Sequence, residues 1–204
     1  MQIKPVNRLK LSESLIQEIL QYLFAFFFSW LISSLLMDFP FFSDPIKNSC
    51  ITAYYSQILV WLTDFQLHLL GFDTFVFSNH LGIEGTQGVI FAFGCLGFRY
   101  LLFFMVFVLL QFGRYYHKIW YLPAGILLIT WANSVRAIII VIGQYHQPTQ
   151  TTLIHDVVTP VFMYPTILFL WIVWVSRFGN PTTKDSSLYL VFKKLFKTSS
   201  FPAK

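Results

Sequence analysis

Four stretches of the chain, residues 19–37, 89–110, 120–143 and 157–176, are apolar with few interruptions and about 20 residues long. That length lets a helix cross a hydrocarbon layer of about 30 Å, so the pattern predicts four membrane spans. The first stretch follows Lys4, Arg8 and Lys10 and ends without a small-residue cleavage site, which reads as an uncleaved signal anchor. Residues 50–71 behave differently. Ile51, Tyr54, Tyr55, Ile58, Trp61, Leu62, Phe65 and Leu69 recur at helical spacing, but Thr52, Ser56, Gln57, Thr63, Asp64 and His68 interrupt them. Such an amphipathic helix is expected to lie in the membrane interface rather than to cross it. In residues 72–88, Phe75, Val76 and Phe77 meet the turn formers Asn79, Gly82 and Gly85, a composition that suits a short hairpin.

Composition agrees with that reading: 56% of the 204 residues are hydrophobic, 20% aromatic and only 11% charged, proportions foreign to a soluble domain. The expected fold is therefore all-α, a polytopic bundle of about four spans with an interfacial amphipathic helix and a short outer hairpin. It forms one membrane-embedded domain over residues 1–180, followed by a basic tail at 181–204. The formal charge of +5 gives no support for a nucleic-acid partner. Its basic residues collect at the two ends and in the loop 114–118, the distribution that orients a membrane protein and favours anionic lipid. With residues 50–71 flat, both termini and that loop are cytoplasmic. The outer side then receives residues 38–88, whose only Lys or Arg is Lys47, and the loop 144–156, which has none. If residues 50–71 spanned instead, the N-terminal cluster would fall outside.

This topology brings polar residues of separate spans to one depth. Cys95 lies six residues into the second span and Arg136 seven residues before the end of the third, so each is about 10 Å below the outer surface at the helical rise. Cys95 and Arg99 are four apart, Asn133 and Arg136 three apart, as residues on one helix face are. His155 and Asp156 precede the fourth span. An arginine inside a span costs about 2.5–3.5 kcal/mol on insertion scales, so both should face the bundle interior. The blander reading is that they snorkel or tie helices together, and a lone buried cysteine is usually an inert small hydrophobe.

Together, the residues make an acyl-transfer set. A thiolate is the competent nucleophile, and nearby arginine charge opposes the rise in thiol pKa that burial brings. A histidine can take the thiol proton and return it to a leaving amine, and an arginine can stabilise the oxyanion. Cys50 and Cys95 permit at most one disulfide, offer no CxxC, and provide no metal-binding spacing; no metal or nucleotide cofactor is implied.

Three short motifs carry a resemblance. Cys95-Leu96-Gly97-Phe98-Arg99 is similar to the CxGxR segment of the exosortase/archaeosortase family of membrane cysteine transpeptidases. Asn133-Ser134-Val135-Arg136 resembles its NxxR segment, and His155-Asp156 its histidine motif before a final span. The resemblance covers about residues 88–178 and implies that Cys95 is the nucleophile, Arg136 and His155 its partners, and Arg99 and Asn133 supporting residues. It also implies a bacterial inner-membrane protease/transpeptidase whose active site faces outward. Its substrates would be exported proteins ending in a short motif, a hydrophobic helix and a basic cluster. The chain departs from the family in having Leu96 where a serine usually follows the cysteine, and in being shorter than the many members with about eight spans. Two rival readings need no nucleophilic cysteine: an anion channel or transporter component, and a structural subunit of an export assembly.

Overall fold

The computed structural model describes residues 8–111 and 115–178; the basic tail expected at 181–204 lies outside the described residues. Helix α1 (Arg8–Asp38) is uninterrupted because it contains neither Gly nor Pro. Phe39, extended as a residue before proline must be, ends it, and Pro40 opens the short α2 (Pro40–Lys47). Helix α3 (Cys50–Leu69) starts at Ser49, whose Oγ accepts the Thr52 N–H, and runs out at the left-handed Gly71.

A three-stranded antiparallel sheet follows, β1 (Thr74–Phe77), β2 (His80–Ile83) and β3 (Val89–Ile90), in that order. The anticipated hairpin is its first two strands, turning through Ser78 and Asn79 with Ser78 left-handed. Helices α4 (Phe98–Leu110), α5 (Tyr115–His146) and α6 (Thr151–Arg177) complete the described chain.

Among the described residues, three helices are long and apolar enough to cross a membrane, over Leu20–Asp38, Tyr115–His146 and Pro148–Arg177. The second expected span is corrected. Residues 89–110 do not form one helix but divide into β3, a 3-10 turn at Phe93–Leu96, and α4, whose 13 residues reach about 20 Å. The break is at Gly97, whose φ of 77° lies in the left-handed region that glycine adopts without penalty.

Pairings between helices fix their directions. Phe26 meets Phe103 and Asp38 pairs with Arg99, so α1 and α4 are antiparallel. Asn133 packs on Gly97 and Gly125 on Phe104, making α4 and α5 antiparallel; a Cβ at Gly125 would lie 2.1 Å from the Phe104 ring, so only glycine allows this approach. Arg136 meets Thr159 and Tyr121 meets Leu170, which sets α6 antiparallel to α5. Tyr22 against Trp171 closes the bundle at the end remote from Cys95.

Along α1 the small residues Ala25, Ser29 and Ser33 are buried while Phe24, Phe26, Phe27 and Trp30 are exposed, the arrangement expected when the surrounding solvent is lipid and close helix contact is what association rewards. Helix α3 follows the same logic. Its polar interruptions Thr52, Ser56 and Thr63 are buried beside Leu59, Val60 and Leu67, and Tyr55 and Gln66 bond Thr130 and Ser134 of α5, so several polar positions share the inward face while Gln57 and His68 stay exposed. The apolar row Ile51, Tyr54, Ile58, Trp61, Phe65 and Leu69 points outward.

Two apolar clusters result. One, between α4, α5 and α6, holds Phe104, Ile129, Met163 and Trp174. The other joins α3, the sheet and the far end of α5 through Leu59, Leu67, Leu81, Phe91, Leu96 and Val141. Leu96, 1% exposed, anchors the turn that carries Cys95.

Candidate active site

The 3-10 turn at Phe93–Leu96 is capped by residues of α5. Its carbonyls cannot continue into α4, because Gly97 redirects the chain, and unpaired buried carbonyls are costly. Asn133 supplies the donors: its Nδ2 lies 3.2 Å from the Cys95 carbonyl and 3.1 Å from that of Leu96. The Asn133 side chain also packs 3.2 Å from where a Cβ at Gly97 would stand.

Arg136, one helical turn further along α5 and 3% exposed, completes the clamp. Its Nη1 donates to the Cys95 carbonyl at 3.0 Å and to Asn133 Oδ1 at 2.8 Å, and its Nε to Thr159 Oγ1 at 2.8 Å. Its Nη2 is 2.8 Å from His155 Nε2. Every guanidinium nitrogen is engaged, as a buried charge requires.

These contacts determine the state of His155. A guanidinium only donates, so Nε2 is the acceptor and the imidazole proton sits on Nδ1. That nitrogen is 3.2 Å from Asp156 Oδ1, which accepts it. The same nitrogen, Nε2, also has the thiol nearby, with Cys95 Sγ at 3.8 Å. A thiol, an imidazole with its proton on Nδ1, and a carboxylate thus stand in sequence, an arrangement able to activate a cysteine. Thr159 donates to the His155 carbonyl at 2.7 Å, so one hydroxyl couples the helix turn of His155 to Arg136.

Four of the five residues singled out by sequence meet here: Cys95, Asn133, Arg136 and His155. Arg99 does not. The expectation that Cys95 and Arg99 share a helix face is corrected, because the left-handed Gly97 separates the turn bearing Cys95 from α4. Arg99 points instead to Asp38 at the end of α1, and both side chains are about half exposed. The sequence reading gave no part to Thr159 or Asp38. Thr159 carried a signal, being four residues after His155 on one helix; Asp38 carried none, since its partner is 61 residues away. Both cysteines are free thiols, and Cys50 lies exposed at the start of α3.

No curated protein and no solved structure is significantly similar to the chain. The family model described as Transmembrane exosortase (Exosortase_EpsH) matches residues 17–173, which takes in most of α1, the sheet, the Cys95 turn and nearly all of α6. On that match over most of its length, the chain belongs to the transmembrane exosortase family.

Proposed function

We propose that the protein is a cysteine protease/transpeptidase that cleaves C-terminal sorting signals of exported proteins through a thioester at Cys95. The observation that carries this reading is the contact of Cys95 Sγ with His155 Nε2, in an imidazole held by Asp156 on one side and Arg136 on the other. The thiol proton passes to Nε2, and the thiolate attacks the scissile carbonyl carbon. Once protonated, Nε2 can no longer accept from Arg136, so Nη2 is released as a donor toward the developing oxyanion. Collapse of the tetrahedral species breaks the C–N bond, and the leaving amine takes the proton from His155. Water or an acceptor nucleophile then gives up a proton to His155 and displaces the thiolate from the thioester.

The site end of the bundle is assigned to the outer face of the bacterial inner membrane, with both termini cytoplasmic. Lys118, donating to the Leu109 and Gln111 carbonyls, marks the other end. It lies 18 residues from Arg136 along α5, about 27 Å, close to the thickness of the hydrocarbon layer. Membrane lipid surrounds the exposed aromatic residues. An anion channel is less well supported, since it needs a free cation and both Arg136 and Arg99 already have partners.

Alkylation of Cys95 by iodoacetamide tests the base. In protein carrying Cys50→Ser and purified in lipid nanodiscs, His155→Ala is expected to slow labelling at neutral pH by about tenfold or more. Equal rates with and without the imidazole would remove His155 from the mechanism.

A further inference from the structure

Next to the Cys95 turn is a cleft that the mechanism does not use. Its volume is about 350 Å³, and it lies between α3, the hairpin turn and the Phe91–Leu96 segment. Ser56, Gln57, Ser78 and Asn79 line it with hydroxyls and amides, and Phe91 and Phe93 form its apolar wall. Ser56 is 8% exposed, and its Oγ has no hydrogen-bond partner among the described residues. A buried, unpaired hydroxyl is costly unless something outside the fold satisfies it.

Two features narrow the ligand class. Among the described residues the cation at the cleft is Lys47, which is already paired, with its ammonium 3.1 Å from Asp44 and over the Phe93 ring, so the described lining offers no free positive charge to a phosphate or carboxylate. What remains is a set of neutral groups that both donate and accept, the complement of a peptide backbone with small uncharged side chains. The cleft also shares its wall with the nucleophile, since Phe93 and Leu96 belong to the turn that carries Cys95. At Gly94, between Phe93 and Cys95, nothing lies within 4 Å of where a Cβ would stand. An extended chain, rising about 3.3 Å per residue, has room to pass that position.

We propose that this cleft holds an extended, uncharged stretch of the polypeptide substrate, a few residues from the bond presented to Cys95. The proposal rests on the cysteine-nucleophile reading and assigns that site its substrate-holding surface. Ala53, exposed on the cleft wall, is the place to block it.

The test compares two alkylating agents on full-length protein with Cys50→Ser in lipid nanodiscs. N-acetyl-trialanyl chloromethyl ketone presents a peptide, and the Cys95 thiolate displaces its chloride; iodoacetamide reacts by the same displacement without a peptide. The ratio of the two rates reports the cleft. Ala53→Trp should lower that ratio about tenfold, the equivalent of one or two neutral hydrogen bonds, and Ser56→Ala should lower it less. A ratio unchanged by both variants would overturn the proposal, as would a peptide reagent with no advantage in the unblocked protein. His155→Ala should lower both rates and leave the ratio, so a failed base and a failed cleft give different results. If Cys95 reacts with neither reagent, a benzophenone-bearing Ala/Ser nonapeptide decides: crosslinks at Ser78 and Asn79 that Ala53→Trp abolishes uphold the cleft, and crosslinks elsewhere or indifferent to that variant refute it.

Discussion

Two arginines stand at the same end of the bundle and differ in almost everything else. Arg136 is 3% exposed and bonds four partners on three segments. Arg99 is half exposed and bonds one carboxylate, Asp38. Both belong to recognisable motifs, yet burial separates their roles. A buried guanidinium must be satisfied by the fold, and so it organises the groups that satisfy it; an exposed one keeps water as an alternative partner and organises little. The contrast puts Arg136 in the cluster around Cys95 and Arg99 at the joint between α1 and α4.

Replacing Arg136 should therefore have the largest effect. Arg136→Lys keeps the charge but cannot span Cys95 O, Asn133, Thr159 and His155 at once. Stability should fall by about 2–4 kcal/mol as buried groups lose charge-assisted bonds, measured by denaturation in detergent, and iodoacetamide labelling of Cys95 should fall with it. Asn133→Ala comes next. It leaves the Cys95 and Leu96 carbonyls short of donors, at a cost of about 1–3 kcal/mol, and a slower labelling rate is expected as the turn loosens.

Asp156 touches no reacting atom and acts through the imidazole, so its effect should be kinetic. Asp156→Ala should slow Cys95 labelling by roughly tenfold or less, while Asp156→Asn, which retains an acceptor oxygen, should recover part of that loss. Equal rates for the three proteins would make Asp156 a bystander. The exposed pair should matter least. Arg99→Ala and Asp38→Asn should each cost less than about 1 kcal/mol, and the double variant no more than the worse single one. A loss near that of Arg136→Lys would erase the comparison between the two arginines.

The apolar runs were enough to read the membrane bundle, because about 20 uninterrupted apolar residues have few other uses. The NxxR spacing placed Asn133 and Arg136 on one face of α5 because that helix is continuous through both. The same spacing rule failed for Cys95 and Arg99, since it presumes a helix, and the run of residues 89–110 conceals a strand, a 3-10 turn and a left-handed Gly97 behind a largely apolar composition. Hydropathy does not register such breaks; a glycine between two motif residues was the only local clue. In α3 the amphipathic pattern was legible but not which face turns inward, because in lipid the polar face can be the buried one. The unpartnered hydroxyl of Ser56 and the cleft it lines depend on contacts between distant segments that no local pattern carries.

The central claim is that Cys95 is the nucleophile, and processing in cells tests it most directly. A reporter ending in a short motif, a hydrophobic helix and a basic cluster, taken from an exported protein of the same genome, is expressed with each variant at matched membrane levels, and the ratio of full-length to processed reporter is measured. With Cys95→Ser, whose alkoxide is far harder to form than a thiolate near neutral pH, only full-length reporter should accumulate, whereas Cys50→Ser should process it as the unaltered chain does. Normal processing by Cys95→Ser would contradict the account.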